Sequence, residues 1–143
     1  MSQEQIELIT VATLLDKVKA VKEQGRRLVQ ISATRLTDTV ELTYSFDLDS
    51  QLANLRLSLP ADKPQLPSIS SIYLCSVLYE NEIHDLFGVQ VDGIAIDFKG
   101  NFYKTAVKFP FASAPACPAP AKAAPAAVPA APAPAATSPA TTK

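Results

Sequence analysis

The chain has 143 residues, with 13 basic and 14 acidic side chains, a length that suits one domain. Nine of its 12 prolines lie from Pro110 onward, and residues 112–143 contain 15 alanines, 8 prolines and two charges, Lys122 and Lys143. Such a segment has too little apolar bulk to offset the entropy of ordering, so we predict a folded domain over 1–111 and a disordered Ala/Pro-rich tail over 112–143. Without the two tail lysines, 11 basic and 14 acidic side chains remain, and this net charge of −3 disfavours nucleic-acid binding through a basic surface.

The composition also limits the possible cysteine chemistry and membrane contacts. Cys75 and Cys117 are too few for a disulfide framework, and no CxxC pair is present for zinc or an iron–sulfur cluster. We expect Cys75 to be a small buried residue among apolar neighbours, and Cys117 to lie in the tail. No N-terminal signal pattern and no bilayer-spanning window is present. We therefore expect a soluble, cytoplasmic protein that meets a membrane only through a partner.

The first predicted elements are a short extended segment over 5–9 and an amphipathic helix. The apolar positions of the helix recur at three- and four-residue steps: Leu14, Leu15, Val18 and Val21. Thr10 or Thr13 is expected to cap its start, and Thr13 with Asp16 resembles a capping box. Gly25 is expected to end it.

The next three segments alternate between polar and apolar residues, which predicts an antiparallel meander with one apolar and one solvent-exposed face. Their apolar positions are Val29, Ile31 and Ala33 in the first segment, Val40, Leu42, Tyr44, Phe46 and Leu48 in the second, and Leu55, Leu57 and Leu59 in the third. Turns at 37–38 and 49–50 separate them. Pro60, Pro64 and Pro67 are expected to end the sheet, because proline cannot donate to a strand ladder.

A second helical stripe begins at Ser68, is interrupted at Glu80 and stops at Gly88. Its members are Ile69, Ile72, Tyr73, Ser76, Val77, Ile83 and Phe87. Short extended pieces are expected at 89–91 and 94–98, followed by an aromatic, basic exit strand or arm over 102–111. The sum predicts an α+β fold: an N-terminal helix, a three-stranded antiparallel meander, a second helix carrying a polar motif, a short extended C-terminal arm and a disordered tail.

The polar motif lies at 80–88 and contains the only histidine of the chain. Glu82 and Asp85 can share a helix face, and Glu80 and His84 can pair across one turn, which would suit acid–base catalysis or a metal site. The alternative without a functional site is an ordinary solvated helix end. Three acids near a helix C-terminus oppose the helix dipole, however, and such violations often serve a partner or a site. A second histidine, an HExxH motif, a serine elbow and a glycine-rich phosphate loop are all missing, which disfavours autonomous catalysis.

Two neighbouring features have ordinary structural interpretations. Phe87 is expected to pack in the core next to Leu86 while Gly88 adopts a left-handed conformation. The stretch over 102–111 interleaves Tyr103, Lys104 and Lys108 with phenylalanines, a pattern that can stack single-stranded bases. A strand with one wet face, or an arm that faces a protein partner, explains the same pattern better.

The run from Tyr79 to Val89, Tyr-Glu-Asn-Glu-Ile-His-Asp-Leu-Phe-Gly-Val, resembles a signature of the C-type subunit of the respiratory NADH:quinone oxidoreductase, complex I. That signature is an aromatic residue, Glu-Arg-Glu, two variable positions and Asp-Leu-Phe-Gly-Ile, and the similarity extends over roughly residues 5–110. Asn81 stands where the family has arginine, so an ion pair of that arginine should be absent here. The short chain and the segment Asp92–Gly100 are more similar to the homologous small subunit of Ech-type and CO-induced energy-converting nickel–iron hydrogenases.

The resemblance implies a non-catalytic structural subunit of the hydrophilic arm of a membrane-bound hydrogenase, which supports ferredoxin-linked proton reduction coupled to ion translocation. It implies that this chain holds no cofactor or metal. The partners would be the large catalytic subunit and the iron–sulfur subunits, which would hold the nickel–iron centre and the iron–sulfur clusters. The complex would lie on the cytoplasmic face of the inner membrane. We expect the motif to be a subunit interface: Glu80, Glu82, His84, Asp85, Leu86, Phe87 and Gly88. Its acids would meet arginine or lysine of another chain. The alternatives are a subunit of an NADH:quinone oxidoreductase, a free-standing acid–base or metal-binding protein that uses His84 and the acids, and an adaptor that binds through its tail.

Overall fold

The computed structural model describes residues 5–113 of the chain. In this range the order of elements is β1 (Gln5–Leu8), α1 (Val11–Glu23), β2 (Arg27–Arg35), β3 (Thr39–Leu48), β4 (Gln51–Pro60), β5 (Gln65–Pro67), α2 (Ser76–Phe87) and β6 (Gln90–Asp92). The α+β class and the antiparallel meander β2–β3–β4 are confirmed. Residues 114–143, which make up the predicted tail apart from its first two residues and include Cys117, lie outside the described residues. Among the described helices, neither is long and apolar enough to cross a membrane.

The main sheet has four strands in the order β1–β4–β3–β2, with β1 parallel to β4. The short extended segment at the N-terminus is thus an edge strand. The proline pattern places residues 65–67 beyond the last strand, but they form β5, which pairs in parallel with β6. A parallel pair needs a crossover connection, and α2 lies in the connection between β5 and β6.

The core lies on one face of the main sheet, under both helices. Its buried members come from α1, β2, β3, β4 and the region around α2: Leu14, Val18, Val21, Ile31, Val40, Leu42, Tyr44, Phe46, Leu55, Leu57, Leu59, Ile69, Tyr73 and Ile83. Two predicted strand positions lie outside this core: Leu48 of β3 is only half-buried, and 37% of Val29 of β2 is exposed. A register shift between Leu28 and Gln30 turns Leu28 toward the core instead. A β-bulge of this kind reverses the inward alternation for the residues before it.

Helix α1 is capped by Thr10 at its start and ends as predicted. The backbone N–H of Thr10 donates to Oγ1 of Thr13 at 3.1 Å, so the capping residues are Thr10 and Thr13 and not Thr13 and Asp16. Gly25 follows the helix with a φ of +77°. This position favours glycine because a side chain strains the left-handed region.

Helix α2 is shorter than the sequence pattern predicts, because it begins at Ser76 and not at Ser68. Residues 68–75 form successive turns in which the N–H of Ser70 donates to Oγ of Ser68 at 3.0 Å. Serine side chains offer the backbone such local bonds in competition with a helix. Cys75 directly precedes α2 and is exposed, so the prediction of a buried cysteine is wrong.

The hairpin between β3 and β4 gives a first testable prediction. Asp49 and Ser50 form its two-residue turn, and both have positive φ values, 50° and 65°. Glycine tolerates this conformation better than serine, so we expect Ser50→Gly to raise the free energy of unfolding by about 0.5–1 kcal/mol in urea titrations. Ser58→Gly, in the extended part of β4, is the control and should lower the stability. A loss of stability in Ser50→Gly would contradict the assignment of the turn.

Candidate functional site

Helix α2 carries the polar motif and ends where a neighbouring segment approaches closely. Gly88 has a φ of +72°, and its N–H donates to the carbonyl oxygen of His84 at 3.0 Å. A Cβ atom at Gly88 would lie 3.2 Å from Cγ of Phe109. The predicted left-handed stop at Gly88 is therefore confirmed, and the same residue also lets the segment after β6 pack against the helix end. We call this segment, residues 93–113, the C-terminal loop.

The carboxylate of Glu80 is buried inside the chain and receives three hydrogen bonds. Its Oε1 accepts from the N–H of Ile69 at 2.8 Å and from Oγ of Ser76 at 3.1 Å, and its Oε2 accepts from Oγ of Ser68 at 2.5 Å. Only 1% of Glu80 is exposed. Glu80 thus lies within α2 and does not interrupt it, because the serine-rich turn before the helix satisfies its oxygens.

The hydrogen bonds around Glu80 extend to the C-terminal loop, and its charge acts on a buried tyrosine. Oγ of Ser68 lies 2.7 Å from Oγ of Ser70, which accepts from the N–H of Ala95 at 3.0 Å, so the turn before α2 is joined to the C-terminal loop. On the other side lies Tyr44 of β3. Burial raises the pKa of the Tyr44 phenol, and the charge of Glu80 raises it further.

Asn81 is fully buried and fixes the C-terminal loop to α2. Its Nδ2 donates to the carbonyl oxygens of Val77 at 2.7 Å and Ile96 at 2.9 Å, and its Oδ1 accepts from the N–H of Phe98 at 3.0 Å. Its three partners are backbone groups, which satisfy both donors and one acceptor position of the amide.

Asp85 holds the same loop one turn further along the helix. Its Oδ2 accepts from the N–H of Tyr103 at 2.8 Å, and 5% of the residue is exposed. Its Oδ1 is buried and has no hydrogen-bond partner among residues 5–113. Asn81 and Asp85, four residues apart on α2, therefore fix two points of the C-terminal loop.

His84 does not pair with Glu80. Its Nδ1 lies 2.9 Å from the carbonyl oxygen of Val89, and because a carbonyl only accepts, Nδ1 carries the proton. The imidazole also packs edge-on against Phe109, with ring centroids 5.9 Å apart. In the described part of the chain, no cluster of three His, Cys, Asp or Glu residues could hold a metal ion.

The remaining motif residues lie toward β2 and the end of the C-terminal loop. Glu82 is half-buried and lines a groove between α2 and β2. Phe87 packs against the core, as predicted, and its ring lies 5.6 Å from that of Phe111. The N–H of Phe111 donates to the carbonyl oxygen of Leu86 at 2.9 Å, so Leu86 supplies the third attachment of the loop.

The C-terminal loop exposes large apolar side chains although its backbone is held by α2. The exposed members are Ile96, Phe98, Tyr103, Val107 and Phe111. Phe102 packs between Phe98 and Tyr103, with ring centroids 5.3 Å and 4.8 Å apart. Residues 94–98 do not form an extended strand, and 102–111 form an arm of bends and turns. Exposed aromatic residues on a fixed backbone are typical of a protein-binding surface.

Sequence reasoning missed the residues that hold the motif acids. Ser68, Ser70 and Ser76 enclose Glu80, and the available signal was the cluster of serines that precedes the motif. The pattern over 102–111 favours a protein-facing arm, and the exposed aromatics of this segment fit that expectation. The interface role of the motif residues themselves stays a prediction, but the burial of Glu80 puts its carboxylate out of reach of a partner.

Comparisons with known proteins agree with this architecture. The profile of the family described as "Respiratory-chain NADH dehydrogenase, 30 Kd subunit" matches residues 4–99. A chain of the membrane-bound sulfane sulfur reductase, an archaeal respiratory membrane complex, is similar in fold, with 24% identity and a TM-score of 0.61. The match covers 69% of this chain and 64% of that one, so this chain spans less than two thirds of the length of that relative. A trypsin-resistant fragment of Nqo5 matches with 18% identity and a TM-score of 0.56, over 64% of this chain and 80% of the fragment. No curated protein sequence matches the chain significantly.

Proposed function

Because this chain belongs to the 30 kDa subunit family of the respiratory-chain NADH dehydrogenase, we propose that it is a non-catalytic structural subunit in the hydrophilic arm of a membrane-bound oxidoreductase complex. The observation that carries this proposal is the C-terminal loop. Buried side chains of α2 fix its backbone at Ile96, Phe98 and Tyr103, and its apolar side chains remain exposed. A loop that only closed the fold would turn these side chains inward.

The polar motif has an internal task in this proposal. Glu80 and Asn81 form the hydrogen bonds described above with backbone and serine groups of their own chain, and Asp85 accepts one from the N–H of Tyr103. The motif is therefore a support that shapes the docking surface, and the chemistry of the complex belongs to its other subunits. Acid–base catalysis by His84 with Glu80 has no support, because each side chain bonds to a different group.

We further propose that the complex is of the energy-converting nickel–iron hydrogenase type. The large catalytic subunit and the iron–sulfur subunits would then hold the nickel–iron centre and the clusters, and this chain would contact them on the cytoplasmic side of the membrane. The fold similarity to a chain of an archaeal respiratory membrane complex supports a place among the subunits of membrane-bound respiratory complexes. A subunit of an NADH:quinone oxidoreductase is the alternative, which the family description favours. Identification of the proteins that copurify with the tagged chain separates the two.

Substitution of the exposed aromatics tests the docking surface. We expect Phe98→Ser and Tyr103→Ser each to reduce the recovery of partner subunits with the tagged chain by roughly tenfold or more, because buried aromatic residues dominate binding energies at interfaces. Leu52→Ser, on β4, is the matched control, since Leu52 and Tyr103 are both 42% exposed. Thermal unfolding of the isolated variants should match the wild type. Normal copurification by both loop variants would overturn the docking surface.

A further inference from the structure

A polar cavity of about 370 Å³ lies between the end of α2 and the C-terminal loop. Six of the side chains that line it are His84, Asp85, Lys99, Thr105, Lys108 and Phe109. Lys99, Thr105 and Lys108 are exposed and form its rim, whereas Asp85 is buried at its floor. The attachment of the loop to Asp85 and Gly88 thus creates a recess next to the exposed apolar surface.

The floor of the cavity contains a hydrogen-bond acceptor without a donor. Oδ2 of Asp85 accepts from Tyr103, but Oδ1 is buried and unpartnered within the described range. A buried carboxylate oxygen without a donor is costly, and native structures seldom keep one without a reason such as a missing partner. One oxygen of this carboxylate therefore has a donor among residues 5–113, and the other has none there.

A second acceptor converges on the same place. Nδ1 of His84 donates to the carbonyl oxygen of Val89, and in this tautomer Nε2 is the acceptor of the ring. A Cβ atom built on Gly100 would lie 3.9 Å from this Nε2 and 4.0 Å from Oδ1 of Asp85. The two acceptors thus face one point in front of Gly100, and the absence of a side chain there keeps the point open.

We propose that this cavity receives the guanidinium group of an arginine from a partner subunit, a proposal that rests on the docking function above. A guanidinium has several N–H donors in a planar fork and stays charged, so it can donate to Asp85 Oδ1 and His84 Nε2 together, whereas the compact ammonium of lysine offers a point charge. Lys99 and Lys108 at the rim disfavour an isolated cation. They fit an arginine that is flanked by an acidic residue, which would face the two lysines.

The variant Asp85→Asn separates this role from the support of the loop. It keeps an oxygen for the N–H of Tyr103 and replaces the unpartnered oxygen by an NH₂ donor, which repels a guanidinium. Asp97→Asn is the matched control, because the exposed Asp97 also accepts a loop N–H, that of Lys99 at 2.7 Å. A third variant, Thr105→Trp, fills the cavity from its exposed rim without touching the bond between Asp85 and Tyr103.

The experiment measures the dissociation constant between the full chain and the complex that lacks it. We expect Asp85→Asn and Thr105→Trp to raise this constant by about thirtyfold or more, Asp97→Asn to leave it unchanged, and Lys108→Glu to weaken binding as well. Wild-type affinity in both Asp85→Asn and Thr105→Trp would overturn the arginine site. If Asp85→Asn does not fold, Thr105→Trp decides alone. Failure of the wild-type chain to bind would instead overturn the docking function itself.

Discussion

Glu80→Ala is expected to lower the free energy of unfolding of the chain by about 3–5 kcal/mol, because it leaves three buried donors without their acceptor. The N–H of Ile69 and the hydroxyls of Ser68 and Ser76 all lose the same carboxylate. Each orphaned buried donor costs about 1–3 kcal/mol, and partial hydration of the space recovers some of the total. A domain of this size has only about 5–15 kcal/mol of stability, so the variant should be close to unfolding.

Urea titration of the isolated chain, followed by circular dichroism, measures this effect. Glu82→Ala is the matched control, since Glu82 is on the same helix but half-buried, and we expect a change of no more than about 1 kcal/mol. Glu80→Gln should lie between the two, because it keeps one acceptor oxygen but places an NH₂ group against a donor. Equal midpoints for Glu80→Ala and Glu82→Ala would show that the acids act only at an interface and not within the fold.

The periodicity of apolar residues is enough to predict the strands and helices that have one buried face. The strict alternation of Val40, Leu42, Tyr44 and Phe46 predicts β3, and these residues are all buried. Pairing between distant segments leaves no such signal. The parallel pairs of β1 with β4 and of β5 with β6 depend on long crossover connections, which four- and three-residue strands cannot encode by themselves.

The errors at Val29 and Cys75 arise where local bonds override the apolar pattern. A bulge after Leu28 reverses the inward alternation at Val29, and serine turns delay the start of α2, so Cys75 lies outside the helix. Hydrophobic spacing reveals neither the bulge nor the serine turns.

The motif shows a different limit of sequence reasoning. Acids near a helix C-terminus predicted an external cation, because a solvated helix end gives them no stabilisation. Glu80 instead receives donors from the turn before its own helix, 11 and 12 residues earlier in the chain. Among residues 5–113, Asp85 keeps one buried oxygen without a donor and so retains the demand that the sequence suggested for the motif acids.

Asn81→Ala is expected to release the C-terminal loop from α2 and to lower stability by about 2–4 kcal/mol. The substitution removes the bonds to the carbonyl oxygens of Val77 and Ile96 and to the N–H of Phe98, and it leaves a cavity where a fully buried side chain stood. Hydrogen exchange of the Phe98 amide measures the release directly, because local opening exposes this group before the core unfolds. Asn101→Ala is the control: its exposed amide donates to loop carbonyls only.

The variant Asn81→Ala also tests whether partner binding depends on the attachment of the C-terminal loop to α2. If α2 shapes the docking surface, Asn81→Ala should lose both the protection of Phe98 and the recovery of partner subunits, although none of the exposed aromatics has changed. Normal partner recovery with an unprotected Phe98 amide would mean that the partner orders the loop on binding. The fixed backbone would then no longer distinguish this surface from any other exposed apolar patch, and the docking role would depend on Phe98 and Tyr103 alone.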